Sequence, residues 1–175
     1  MVTGPATGLL LFTDRLQAHR PLDEVVNRAI DGGARLVVLG EQDLPAGERQ
    51  DLADRLRVML DGVRGRLVLA EDTTAFRKCH NLDDLVAADD AKVGFATLSP
   101  IYPTRSKPGY GPPLGLAALA RMAQVVPLPV YALGGVDSPV RVRDCLDQGA
   151  SGVAVMGAVM RAEDPARFVK ELMTA

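Results

Sequence analysis

The chain predicts an α/β fold: parallel strands closed toward a barrel by outer helices, with one or more strand–helix units missing. Short apolar runs alternate with amphipathic helix patterns from end to end. The runs lack polar alternation, as strands buried on both faces do. Glycine turns follow the late strands, while Thr13-Asp14-Arg15 follows the first. An open doubly wound sheet favours a glycine-rich turn after its first strand. A βα barrel places phosphate sites in the loops after its last two strands. The barrel is the expected fold.

The first strand reads Gly8 to Thr13. A helix follows, with Leu22, Val25, Val26, Ala29 and Ile30 on one face and Asp31-Gly-Gly33 as its stop. A second strand runs from Arg35 to Leu39, and the helix after it repeats Leu52, Leu56, Met59 and Leu60 before Gly62. The third strand is Arg66 to Ala70. Asn81 is placed to cap a short helix carrying Leu82, Leu85 and Val86. Val93 to Leu98 is the next strand, and Leu116, Leu119 and Met122 mark the helix beyond it. Pro129 to Leu133 and Gly152 to Met156 complete the strands. Ser138-Pro139 and Asp164-Pro165 open the last two helices, each pairing a capping side chain with a proline at the first helical position.

Six strands fall short of the eight βα units of a complete barrel. The shortfall lies between Asp72 and His80, where Phe76 to Cys79 has room for one short strand at most. Either the barrel is incomplete or a partner chain covers the break, since unpaired parallel edges are a liability.

At 175 residues the chain is one domain, able to bury a core without disulfides or metal staples. Its net charge of −2 gives no general attraction to nucleic acid or anionic membrane. Cys79 and Cys145 lack metal-ligand spacing and read as reduced, apolar thiols. The opening residues lack a leader pattern and no apolar run approaches a membrane span, so a cytoplasmic location is expected.

The stretch Ser99-Pro-Ile-Tyr-Pro-Thr-Arg-Ser-Lys-Pro-Gly-Tyr-Gly-Pro-Pro-Leu-Gly115 reads as a long loop between strand and helix. Loops of this length inside compact domains are usually working parts. Thr104, Ser106 and Lys107 offer two hydroxyls and an ammonium on a stiffened backbone, which suits a phosphate or diphosphate. Gly134-Gly135 and Met156-Gly157 end successive strands and let backbone N–H groups approach an anion. Glu41, Glu71 and Asp72 stand at the ends of the second and third strands, where carboxylates could hold Mg²⁺ against a diphosphate. His80 reads first as a hydrogen-bonded structural residue, and His19 as a surface loop residue.

Leu11-Phe-Thr-Asp-Arg15, Cys79-His80, Ser99 to Lys107, Gly111 to Leu116, Ala132-Leu-Gly-Gly-Val136 and Gly152 to Ala158 with Asp164-Pro165 together resemble the thiamine phosphate synthase family, which includes the thiazole tautomerases. The resemblance spans nearly the whole chain. It implies a TIM-type barrel, here shortened, as a single domain over residues 1–175. It implies a transferase of thiamine biosynthesis that joins an aminopyrimidine-methyl diphosphate to a thiazole phosphate, releasing diphosphate with Mg²⁺ assistance. By the same resemblance Thr104, Arg105, Ser106, Gly134, Gly135, Met156 and Gly157 would bind the thiazole phosphate. Lys107 would be catalytic, neutralising the departing diphosphate, and Glu71 or Asp72 would stand for the metal-binding aspartate.

The front half departs from the family pattern. Val38-Leu-Gly-Glu-Gln42 replaces a Gln-x-Arg-Glu-Lys-like run and keeps only Glu41. Ala70-Glu71 stands for an Asn-Asp pair, and Lys78 for a serine. Pro100 occupies the place of the tautomerase histidine. Losing cationic contacts to diphosphate costs about 1.5–3 kcal/mol for each charged hydrogen bond. Two readings stay open: a synthase of weakened activity, or a non-catalytic phosphate-binding relative that senses its ligand or supports a full-length synthase. The expected partner is a small phosphate ester, with a homo-oligomer as a further expectation.

Overall fold

A computed structural model describes residues 8–106 and 108–175. It contains one seven-stranded parallel sheet: β1 (Gly8–Phe12), β2 (Leu36–Leu39), β3 (Arg66–Leu69), β4 (Phe76–Cys79), β5 (Phe95–Leu98), β6 (Val130–Leu133) and β7 (Gly152–Val155). The sheet order is β3-β2-β1-β7-β6-β5-β4, so β1 and β7 pair as in a barrel while β3 and β4 are left as edges. The fold is a TIM-like barrel opened at one seam. The short segment between Asp72 and His80 does supply a strand, β4, paired in parallel with β5.

Six residues connect β3 to β4, far fewer than an ordinary parallel crossover requires. The stagger of the barrel explains how. Followed strand by strand round the sheet, the pairings bring Arg66 level with His80. A closed barrel carries a stagger of about eight residues, which would set the end of β3, Leu69, level with Ala75 at the start of β4. Two tight turns finish the link: Asp72 N–H donates to Leu69 O at 2.9 Å, and Phe76 N–H to Asp72 O at 3.3 Å.

Period-two alternation divides the core. Leu10, Phe12, Leu36, Val38, Val68, Phe76, Phe95, Tyr131 and Ala154 point into the barrel. Leu9, Leu11, Val37, Leu39, Leu98, Val130, Val153 and Val155 face the outer helices. These are α1 (Leu22–Asp31), α2 (Ala46–Asp61), α3 (Leu82–Asp90), α4 (Gly115–Ala123), α5 (Pro139–Asp147), the single turn α6 (Gly157–Met160) and α7 (Pro165–Met173). The three expected caps form: Asn81, Ser138 and Asp164 accept from the N–H groups of Asp84, Arg141 and Arg167.

Aromatic rings fill the interior beside the seam. Phe76 meets Phe12 edge-on at 5.9 Å and stacks on Phe95 at 5.2 Å, and Phe95 meets Tyr131 at 5.5 Å. Gly152 makes room for this chain, since a Cβ there would lie 2.6 Å from the Tyr131 ring. Among the described residues no helix is long and apolar enough to cross a membrane.

Candidate functional site

A cavity of about 440 Å³ opens at the C-terminal ends of β4 to β7, over the ring of Phe12. Its position follows from the β5–β6 connection. The chain after β5 continues beside β6, with Ile101 N–H donating to Leu133 O and Tyr102 N–H to Gly134 O, both at 2.9 Å. The returning chain closes the neck: Leu114 N–H bonds Pro100 O at 2.8 Å and Gly115 N–H bonds Ile101 O at 3.0 Å. Residues 102–106 and 108–113 therefore belong to a loop anchored at both ends, with Pro103, Thr104, Arg105, Ser106 and Tyr110 on the cavity wall. The turn after β6 is packed hard against that neck. Gly134 and Gly135 have φ of 98° and 67°, and added Cβ atoms would lie 2.8 Å from Pro100 Cα and 2.7 Å from Tyr102 Cβ.

The structure brings Thr104, Arg105, Ser106, Gly134, Gly135, Met156 and Gly157 together on the cavity wall. Lys107 lies outside the described residues. Ser106 N–H donates to Thr104 Oγ1 at 3.2 Å, which ties the two hydroxyl residues into one turn.

Three cations outside the expected site residues also line the cavity. Arg141 donates to Gly135 O at 2.7 Å and to Asp137 Oδ1 at 2.9 Å, with its guanidinium 4.7 Å from the centre of the Tyr102 ring. Arg161 follows Gly157 by one helical turn and folds back onto it. Lys78 points inward from β4, its ammonium 5.8 Å from the centre of the Phe12 ring. Among the described residues the charged lining is Lys78, Arg105, Arg141 and Arg161 against the carboxylate of Asp137. A chain of net charge −2 concentrates cations here.

His80 lies at the rim, its Nδ1 2.9 Å from Ser99 O. A carbonyl only accepts, so Nδ1 is the donor in that contact.

The front carboxylates are not in the cavity lining. Glu71 accepts both guanidinium nitrogens of Arg49, at 2.6 and 2.7 Å, and this pairing holds its carboxyl below the usual range. Asp72 accepts from Thr74 Oγ1 at 2.6 Å and from the N–H of Ala75 at 3.1 Å, and the Thr74 hydroxyl is the first cause lowering its carboxyl. Glu41, buried and at φ 49°, accepts from the Arg15 N–H at 3.0 Å and from its guanidinium at 3.1 Å. Arg15 also grips Asp43 at 2.8 and 2.7 Å. Among the described residues no three acidic, histidine or cysteine side chains gather as metal ligands. As placed, Glu71 spends both oxygens on Arg49 and Asp72 spends Oδ1 on its own turn, so the pair does not form a ready magnesium site.

Residues 77–159 match the thiamine monophosphate synthase family. A protein of Geobacter sulfurreducens named "Putative thiamine-phosphate synthase" is 34% identical, with 94% of this chain and 92% of that one covered. The thiamine-phosphate synthase of a Roseiflexus species is 29% identical over 96% of this chain and 85% of its own. Among solved structures, the Pyrococcus furiosus thiamine phosphate pyrophosphorylase superposes with a TM-score of 0.84 at 22% identity, covering 97% of this chain and 95% of that one. Mycobacterium tuberculosis tryptophan synthase shares the fold alone, at a TM-score of 0.70 and 13% identity, with coverages of 97% and 92%. The chain belongs to the thiamine-phosphate synthase family and is a synthase-like protein of thiamine biosynthesis.

Proposed function

We propose that the cavity binds a thiazole phosphate ester and that the chain couples it to an aminopyrimidine-methyl diphosphate, releasing diphosphate. The observation that carries this reading is the cavity's lining, which among the described residues sets four cationic side chains against one carboxylate beside the Ser106 hydroxyl and the Gly134-Gly135 turn. Cations and hydroxyl donors of this kind make charge-assisted hydrogen bonds to phosphate oxygens. The apolar floor under them, formed by Phe12 and Ala154, suits the flat ring of such an ester. As the bond from the methylene carbon to diphosphate breaks, negative charge builds on the leaving oxygens. Fixed cations at the cavity stabilise that charge more than they stabilise the substrates. Lys78 is the described cation on the β4 side of the cavity, and Lys107 keeps in this proposal the leaving-group role that the family resemblance implies. The site works in the cytoplasm on small phosphate esters.

A second reading rests on a specific observation. Glu41, Asp43 and Glu71, at the ends of β2 and β3, are all engaged by Arg15 or Arg49. A front half filled by internal ion pairs favours a chain that binds the thiazole phosphate without turning it over. Coupled turnover measured with both substrates, alongside calorimetry with the thiazole phosphate alone, separates the two. Diphosphate release supports the synthase; binding without release supports the second reading; neither binding nor release overturns both.

A further inference from the structure

The loop after β1 reaches across the mouth of the barrel and ends against the β7 side, where His19 N–H bonds Met160 O at 3.1 Å. Gln17 stands in this loop. Its amide nitrogen donates to Asp14 Oδ2 at 2.5 Å, which fixes the orientation of the carboxamide. Its oxygen Oε1 accepts from the Ser106 hydroxyl at 2.9 Å and from the Arg161 guanidinium. All three groups crowd the Cα of Gly157, since a Cβ added there would run into Ser106 Oγ, Arg161 Nη1 and Gln17 Oε1. One acceptor oxygen, gripped by a hydroxyl and a guanidinium over a glycine, sits where a phosphoryl oxygen would sit.

We propose that Arg161 is a phosphate-binding residue of this chain, and that Gln17 holds its place in the empty site with an amide oxygen that the incoming phosphate displaces. This rests on the cavity's being a phosphate site, and it adds two residues and an exchange to that reading. A neutral amide oxygen is the weaker acceptor. A phosphate oxygen makes shorter and roughly twice as strong bonds to the same guanidinium and hydroxyl, so the exchange runs toward the ligand. Until it does, the Gln17 oxygen occupies both donors, so the phosphate must break those two contacts in order to bind. Asp14 sets which end of the carboxamide faces the donors. The β1 loop therefore reports whether the phosphate site is filled.

The test is calorimetric titration of the full chain and its variants at Arg161 and Gln17 with thiazole phosphate and, separately, with inorganic phosphate. Arg161→Gln is expected to weaken phosphate binding by about ten- to hundredfold, the cost of one charge-assisted contact. Gln17→Ala is expected to tighten it by about three- to tenfold, because the competing oxygen is gone. Gln17→Glu places a carboxylate in the phosphate's position and is expected to weaken binding by at least about tenfold. A purely structural Gln17 would make the alanine variant bind more weakly, which overturns the exchange. Unchanged affinity in Arg161→Gln overturns the assignment of Arg161. Thermal melting accompanies each titration. If Arg161→Gln melts early, Arg161→Lys must recover part of the affinity for the assignment to stand. Binding of inorganic phosphate but not thiazole phosphate, with these variant effects intact, removes the thiazole reading and leaves the exchange standing; binding of neither by the unaltered chain overturns both.

Discussion

Gly135 and Gly149 both hold positive φ, at 67° and 90°, yet only Gly135 faces a wall. Alanine at either position pays the left-handed backbone cost, about 1–2 kcal/mol. At Gly149 nothing lies within 4 Å of the added methyl, so that cost is the whole effect. At Gly135 the methyl would strike the Pro103 carbonyl oxygen and lie 2.7 Å from Tyr102 Cβ. Backbone on that side cannot rotate away, so the β5–β6 loop must shift, adding about 1–3 kcal/mol of overpacking. Gly135→Ala should therefore destabilise by about 2–5 kcal/mol, against about 1–2 for Gly149→Ala. It should also weaken thiazole phosphate binding, because Thr104 and Ser106 ride on the displaced loop. Urea denaturation with matched calorimetry measures both effects. Equal destabilisation by the two substitutions, with affinity untouched in Gly135→Ala, would refute the close approach as the device that positions the loop.

Phe76→Ala removes the ring that touches both Phe12 and Phe95 beside the seam, and should cost about 3–5 kcal/mol in urea denaturation; a loss below about 1.5 would mean the seam is stabilised by something else. Arg49 holds the Glu71 carboxyl below its ordinary range, so their pairing stabilises the fold at neutral pH and is lost as pH falls through the depressed pKa. Glu71→Gln should flatten the fall in melting temperature between about pH 5 and pH 3; an unchanged acid profile contradicts the pairing. Millimolar Mg²⁺ without substrates should leave the melting temperature unchanged, because Glu71 and Asp72 are committed to Arg49 and Thr74. A rise that Glu71→Gln abolishes would show that the carboxylate leaves Arg49 for the ion.

The strands and caps were legible because each has a local cause. Unbroken apolar runs became buried strands, and Asn81, Ser138 and Asp164 cap the helices they precede. The strand Phe76–Cys79 was harder to read, since Arg77 and Lys78 interrupt its pattern. The structure gives the reason: Arg77 is exposed on an edge strand, and Lys78 points into the open mouth. At the site, the glycines and hydroxyls of the two motif loops were found because they lie in short contiguous stretches. Arg141, Arg161 and Gln17 were not, because their meaning comes from contacts across the barrel mouth. Arg161 and Gln17 are 144 residues apart in sequence and share a hydrogen bond. A local signal did exist for the two arginines, each placed four residues beyond a group it folds back to meet, Asp137 or Gly157. Glu71 and Asp72 sit at strand ends as expected, but Arg49 from α2 claims the first and a turn claims the second. Charge alone could not separate a metal ligand from an ion-pair partner.

A crystal structure of the chain with thiazole phosphate bound tests the central claim most directly. The account predicts phosphate oxygens within hydrogen-bond distance of Ser106 and Arg161 over Gly157, with the Gln17 amide oxygen displaced. A phosphate bound instead near Lys78, with Gln17 still holding Ser106 and Arg161, would contradict it.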